Sequence, residues 1–113
     1  MIRRTFLATV AALAVTVPAF AQDALRIGVE GAYPPFSYKE ADGTLAGFDI
    51  EIANALCAEM NRDCTLVEQE WDGMIPALKA RKFDAIVASM SITEERRQRI
   101  DFSVPYRVSV GRI

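Results

Sequence analysis

The groups in this sequence able to hold a charged small molecule are few and complementary. Arg96 lies in the first turn of a helix whose start is marked by Ser91 and Thr93. Free N–H groups at such a start attract an anion, and a guanidinium beside them grips a carboxylate through two parallel bonds. The Ser91 hydroxyl both donates and accepts, and the Ser89 carbonyl can accept from an ammonium. Tyr33 and Trp71 each follow a run of strand character; rings there can sandwich an aliphatic stem or stack on a cation. Glu30 ends the first such run and offers a carboxylate to a positive group. Taken together, these residues form a cradle for a zwitterion. Each also has a plainer reading. Arg96 can be one exposed charge among Glu94, Glu95, Arg97 and Arg99, the two rings can be core, and Glu30 can be a solvated strand end.

Other chemistries lack their parts. The 113 residues contain no histidine and two cysteines, so neither a Ser-His-Asp triad nor a Cys-His pair can be built, and no metal site of His/Cys type is expected. Glu68 and Glu70 share one face of a strand and read as surface carboxylates. The glycines lack phosphate-loop spacing, and no cofactor is implied. The formal charge is -2 with no Lys/Arg run, which argues against nucleic acid as a partner.

The elements that must position these groups begin after a leader. Arg3 and Arg4, an apolar stretch over residues 6–17 and the small-x-small pattern Ala19-Phe20-Ala21 read as a signal peptide over residues 1–21, with Gln22 as the mature N-terminus. No later segment is apolar enough for its length to span a bilayer, so the expected product is exported and not membrane-spanning. In an oxidising compartment Cys57 and Cys64 are expected to pair, with two buried thiols as the alternative.

Residues 25–30 alternate as a first strand, and Pro34-Pro35 ends it. Residues 36–38 read as a short extended piece, and Asp42-Gly43 as a turn. Asp49 is the expected N-cap of a helix to Met60, with Ile52, Leu56 and Met60 as its apolar stripe and Ala53 and Cys57 beside them. Residues 64–70 form a second strand. Asp72 caps a second helix with Ile75 and Leu78 inward and Pro76 in its first turn. Residues 83–88 suit a strand covered on both faces. Ser91 and Glu94 have capping-box spacing, with Thr93 a competing cap. Residues 100–102 and 106–110 read as extended. Such β-α alternation implies a mainly parallel sheet with helices on its faces, whose ligands gather beyond the C-terminal strand ends. Three loops would meet there: 30–33, 70–72 and 88–96.

Five motifs in order carry a resemblance: EGAYPPF (30–36), GFDI (47–50), WDGMIP (71–76), DAIVASMSITEER (84–96) and FS (102–103). They resemble the family 3 periplasmic amino-acid-binding proteins, including the lysine/arginine/ornithine, histidine and opine binders, across essentially the whole mature chain. The resemblance implies one lobe of a type II periplasmic-binding-protein-like α/β fold and an amino-acid-binding component of an ABC transporter, with a permease as its partner. Arg96 and the Ser91 N–H match the clamp on the ligand carboxylate. The Ser91 hydroxyl and the Ser89 carbonyl match the contacts to the ammonium, Tyr33 and Trp71 the stacking pair, and Glu30 the carboxylate of the cationic binders. Cys57 and Cys64 match that subgroup's disulfide.

Ala88 departs from the lysine/arginine binders, which tend to carry Ser there. Glu30 with Trp71 also resembles the opine binders. Cyclohexadienyl dehydratases share the fold and form the enzymatic alternative to a non-enzymatic binder. Family members have two lobes, so residues 22–113 are expected to be the N-terminal part of lobe one in a truncated product. Such a product should fold marginally and bind weakly.

Overall fold

The computed structural model describes residues 23–110; the expected leader and its cleavage point lie outside them. Strand β1, Leu25–Val29, is the centre of a parallel sheet. On one side it pairs in full register with β5, Cys64–Glu68, and on the other with β6, Ala85–Ile86, at Ile27 and Gly28. Side chains alternate across a strand. Ile27 and Val29 therefore join a core with Ile50, Ala53, Cys57 and Val87 on one face. Gly28 faces the other way, where a Cβ would sit 2.6 Å from the Phe83 ring. That absent side chain lets Phe83 press flat on the sheet and head a second cluster with Met74, Ala77 and Ala88.

Between β1 and the first helix the chain makes a small antiparallel sheet: β2, Ala32–Tyr33; β3, Ser37–Lys39; and β4, Leu45–Ala46. The extended piece read at 36–38 is β3. The Asp42-Gly43 turn forms, with Gly43 at φ 85° and the Thr44 N–H donating to Asp42 Oδ1 at 2.9 Å.

Helix α1, Phe48–Glu59, starts differently from expectation. Its N-cap is Gly47 at φ 116°, where a Cβ would lie 2.5 Å from the Phe36 carbonyl oxygen. The Phe48 and Asp49 N–H groups donate to Pro35 O at 3.2 Å and Phe36 O at 2.7 Å. Backbone carbonyls thus satisfy the first turn, and Asp49 is a fully buried residue inside it rather than its cap. The inward face is also rotated from the expected stripe. Ile50, Ala53 and Cys57 are buried and Ile52 is half-buried, whereas Leu56 and Met60 are 47% and 49% exposed. The Cys57–Cys64 disulfide, which ties the helix to the start of β5, and buried Asp49 both lie on the inward face and set its rotation.

The second helix also starts later than read. Trp71–Gly73 is a turn of 3-10 helix with Asp72 inside it, and α2, Met74–Lys79, is capped by Gly73. Pro76 falls in its first turn as expected. Ile75 faces inward with Met74 and Ala77, while Leu78 is half-buried. The 83–88 run is buried at Phe83, Val87 and Ala88, but only Ala85–Ile86 is strand, with bonds from Asp84 N to Arg26 O and Val87 N to Gly28 O flanking it. Thr93 caps the short α3, Glu94–Arg97, by accepting from the Arg96 N–H, so the capping-box alternative at Ser91 is not used. The strands expected at 100–102 and 106–110 do not form. That segment instead flanks β6 across an open, mainly apolar groove of about 590 Å³. Among the described residues no helix is long and apolar enough to cross a membrane.

Candidate functional site

The C-terminal ends of β1, β5 and β6 feed the three loops singled out above. After β5, the 3-10 turn presents Trp71. After β6, the chain passes through Ser89, which holds the left-handed value φ 50°, to Ser91 and α3. Thr93 fixes the first turn of α3 and so aims Arg96 back at the sheet. The Arg96 guanidinium carbon lies 5.4 Å from the centre of the Trp71 ring, and NH1 donates to the Ser91 carbonyl at 2.9 Å. Of the guanidinium's five donors, this bond uses one. The pair lines a notch of about 240 Å³ with Pro76, Met90 and Arg99. Arg96 and Trp71 are thus in contact, and Trp71 also packs on the Phe83 cluster, in line with the plainer reading of a core ring.

A second group near Ser89 is aromatic. Tyr33 is 43% exposed and packs on Phe36 with ring centres 5.0 Å apart. Phe36 meets Phe48 edge-on at 6.3 Å, and Phe48 meets Tyr106 at 6.3 Å. Arg107 stacks over Phe36 at 4.0 Å and donates from Nε to Ser89 Oγ at 2.9 Å. The Ser89 hydroxyl donates to Asp49 Oδ1 at 2.7 Å, and the Tyr106 hydroxyl donates to the same oxygen at 3.0 Å while accepting from the Ser89 N–H at 2.7 Å. Burial pushes the Tyr106 phenol above its usual range, and the bond from Ser89 opposes that rise. Ser89 therefore links the Tyr33–Phe36 pair to the loop leading to Ser91 and Arg96. Glu30, directly after β1, is half-buried. Glu68 pairs with Lys39 at 2.8 Å, so it is a surface ion-pair partner.

Four contributors are not singled out by the sequence as site residues: Phe36, Asp49, Tyr106 and Arg107. The GFD tripeptide holds a signal for Asp49, because a glycine at φ 116° removes the need for a side-chain cap. Tyr106 and Arg107 reach the site from a segment whose pattern suggests a strand, and no local feature marks them.

Known proteins share this architecture. An L-arginine-binding protein of Pseudomonas aeruginosa is 59% identical over 104 residues, covering 88% of this chain and 40% of the relative. A histidine-binding periplasmic protein of Salmonella typhimurium is 52% identical over 79 residues, covering 70% and 30%. Among solved structures, an ancestral arginine-binding protein bound to arginine matches with TM-score 0.74 at 42% identity, over 76% of this chain and 38% of that one. The ancestral amino-acid-binding protein AncCDT-1, a precursor of cyclohexadienyl dehydratase, matches with TM-score 0.70 at 45% identity, over 74% and 37%. The arginine-bound form of domain 1 from TmArgBP matches with TM-score 0.70 at 35% identity, over 74% and 66%. The chain thus spans two fifths or less of the two curated relatives' own length, and its α/β architecture is part of a periplasmic-binding-protein-like lobe. Residues 25–113 match the family described as bacterial extracellular solute-binding proteins, family 3, and the chain belongs to that family.

Proposed function

We propose that this chain acts in the periplasm as the substrate-binding component of an ABC transporter for polar or cationic amino acids, with a permease as its partner. One observation carries the reading: a guanidinium stacked on an indole, Arg96 on Trp71, lines a notch at the C-terminal ends of a parallel sheet. The remaining Arg96 donors and the Ser91 N–H suit a carboxylate, and the Ser91 hydroxyl and Ser89 carbonyl suit an ammonium. Tyr33 and Trp71 suit the aliphatic stem, and Glu30 a basic head group. Arginine ranks first among candidate ligands because the relatives named above include arginine binders; histidine, lysine, ornithine and opines follow.

Magnitudes indicate what this half-cleft achieves alone. Two charge-assisted contacts contribute about 1.5 to 3 kcal/mol each and two ring contacts about 1 kcal/mol each, against an association cost of about 4 kcal/mol or more. The surplus of about 1 to 4 kcal/mol corresponds to millimolar binding or weaker, since micromolar capture needs about -8 kcal/mol.

Titration of the full chain with L-arginine into the tens of millimolar, followed by NMR, tests this. The Trp71 indole and the amides of residues 89–96 should shift together, and Arg96→Ala should abolish the response. No shift at these positions with arginine, lysine, histidine or octopine would overturn the reading. AncCDT-1's link to a dehydratase favours a second assignment, for which turnover of prephenate or arogenate is the discriminating assay.

A further inference from the structure

Asp49 is fully buried, yet the functional reading gives it no task. Its Oδ1 takes two hydrogen bonds, and its Oδ2 has no hydrogen-bond partner. A buried carboxylate left half-satisfied is costly, and such a group calls for an explanation. The start of α1 does not supply one, because the Pro35 and Phe36 carbonyls satisfy its first N–H groups and Gly47 is the cap. The helix end only makes the charge tolerable, since an anion in the first turn lies at the positive end of the helix dipole.

The explanation lies in what Asp49 joins. Its backbone N–H donates to Phe36 O at 2.7 Å, which holds the turn that carries Tyr33. Its carboxylate accepts from Ser89 Oγ at 2.7 Å, which holds the loop leading to Ser91 and Arg96. One buried residue therefore joins the turn that carries Tyr33 to the loop that leads to Arg96. Ser89 is also the place where the loop is strained: its φ of 50° lies in a region disfavoured for residues with a side chain. Such a conformation persists only where the surroundings over-determine it. Here the hydroxyl is tied to Asp49 and Arg107, and the N–H to Tyr106.

We propose that Asp49 is a positioning residue for the ligand cleft. Its hydrogen bond to Ser89 holds that residue left-handed, and so aims the Ser89 carbonyl and the Ser91 N–H and hydroxyl at the ligand. The inference rests on the amino-acid-binding reading, because positioning has a purpose only if those groups meet a ligand.

The test separates the two ideas by reading the loop and the ligand independently in the full chain. The first readout is amide hydrogen exchange of Ser89, Met90 and Ser91 without ligand. The second is the dissociation constant for L-arginine by NMR titration. Asp49→Ala should raise the exchange rates about tenfold, as expected for loss of a hydrogen bond to a charged group, and should weaken arginine binding by a similar factor. Asp49→Asn keeps an oxygen that can accept from Ser89, so both readouts should stay within about threefold of the parent.

Should Asp49→Ala fail to fold, Ser89→Ala breaks the same bond from the loop side and should reproduce both losses. Unchanged exchange and affinity in the alanine variants would overturn the proposal. Equal damage from Asp49→Asn would also overturn it, by assigning the effect to charge rather than to the held geometry. Exchange that rises in Asp49→Ala, in a parent chain that binds no arginine, would support the positioning role and sink the functional reading.

Discussion

The two faces of the central sheet are secured by different means. On the α1 face, a twelve-residue helix is cross-linked to β5 by Cys57–Cys64, and buried Asp49 reaches from the helix into the site. On the α2 face the helix has six residues and no cross-link, and the filling is Phe83 pressed on Gly28, with Met74, Ala77 and Ala88 beside it. The site straddles this divide. Its aromatic group is anchored at α1 through Phe48, while Trp71 packs on the Phe83 cluster and carries Arg96. The lesson is that the clamp proposed for the ligand carboxylate depends on the less redundant half, where the loss of one side chain has the larger consequence.

The largest expected effect tests that dependence directly. Phe83→Ala should destabilise the chain by about 3 to 5 kcal/mol, read as a drop in urea midpoint. Removing the cross-link with Cys57→Ala and Cys64→Ala should cost about 2 to 3 kcal/mol in the chain-entropy account, measured the same way. If the cysteine pair costs more than Phe83, the ranking of the two faces is reversed and the comparison fails.

At the site, Arg96→Ala should weaken arginine binding by about 1.5 to 3 kcal/mol. Arg96→Lys should recover only part of this, because an ammonium lacks the planar two-pronged grip. Calorimetry or NMR titration at fixed salt decides the matter. Equal affinity of the parent chain and the Arg96→Lys variant would remove the bidentate clamp from the account.

The smallest effect sharpens the comparison at the outer end of the sheet, where Arg26 bonds Asp84 through Nε and NH2 and both side chains are well exposed. The Arg26 side-chain bond, followed by the Arg26 backbone N–H, holds the Asp84 carboxyl below the usual carboxylate range. The unfolded chain therefore binds the proton more readily, and the pair's contribution is full above about pH 4 and fades as the pH falls through the lowered folded value. Asp84→Asn should lower the midpoint slightly near neutrality, and the difference should shrink in acid; a gap that widens in acid would contradict the assignment.

How far these elements can be read from residue order varies with their length. β1, α1 and β5 are legible because each has several residues of consistent period and because Cys57 and Cys64 bracket the turn between them. Ser89, Ser91, Trp71 and Arg96 are legible as candidates through motif order. The small β2–β3–β4 sheet is largely opaque, since its strands have two or three residues and no measurable period. The inward face of α1 is misjudged from pattern because Leu56 and Met60 are strong apolar signals, while the covalent tether at Cys57 and the buried Asp49, both tertiary constraints, decide the rotation. Residues 106–110 alternate, yet a strand needs an adjacent partner as well as a pattern. Val104, Val108 and Val110 are instead more than 80% exposed.

The place of β1 at the middle of its sheet, described above as a matter of register, also dictates when the protein can fold. β1 leaves the ribosome before both of the strands that flank it, and Arg26 meets Asp84 across 58 positions of chain. Closing so wide a span precedes any gain from the contacts it brings together. A growing chain therefore cannot complete the parallel sheet around β1 until Ala85 and Ile86 have been made.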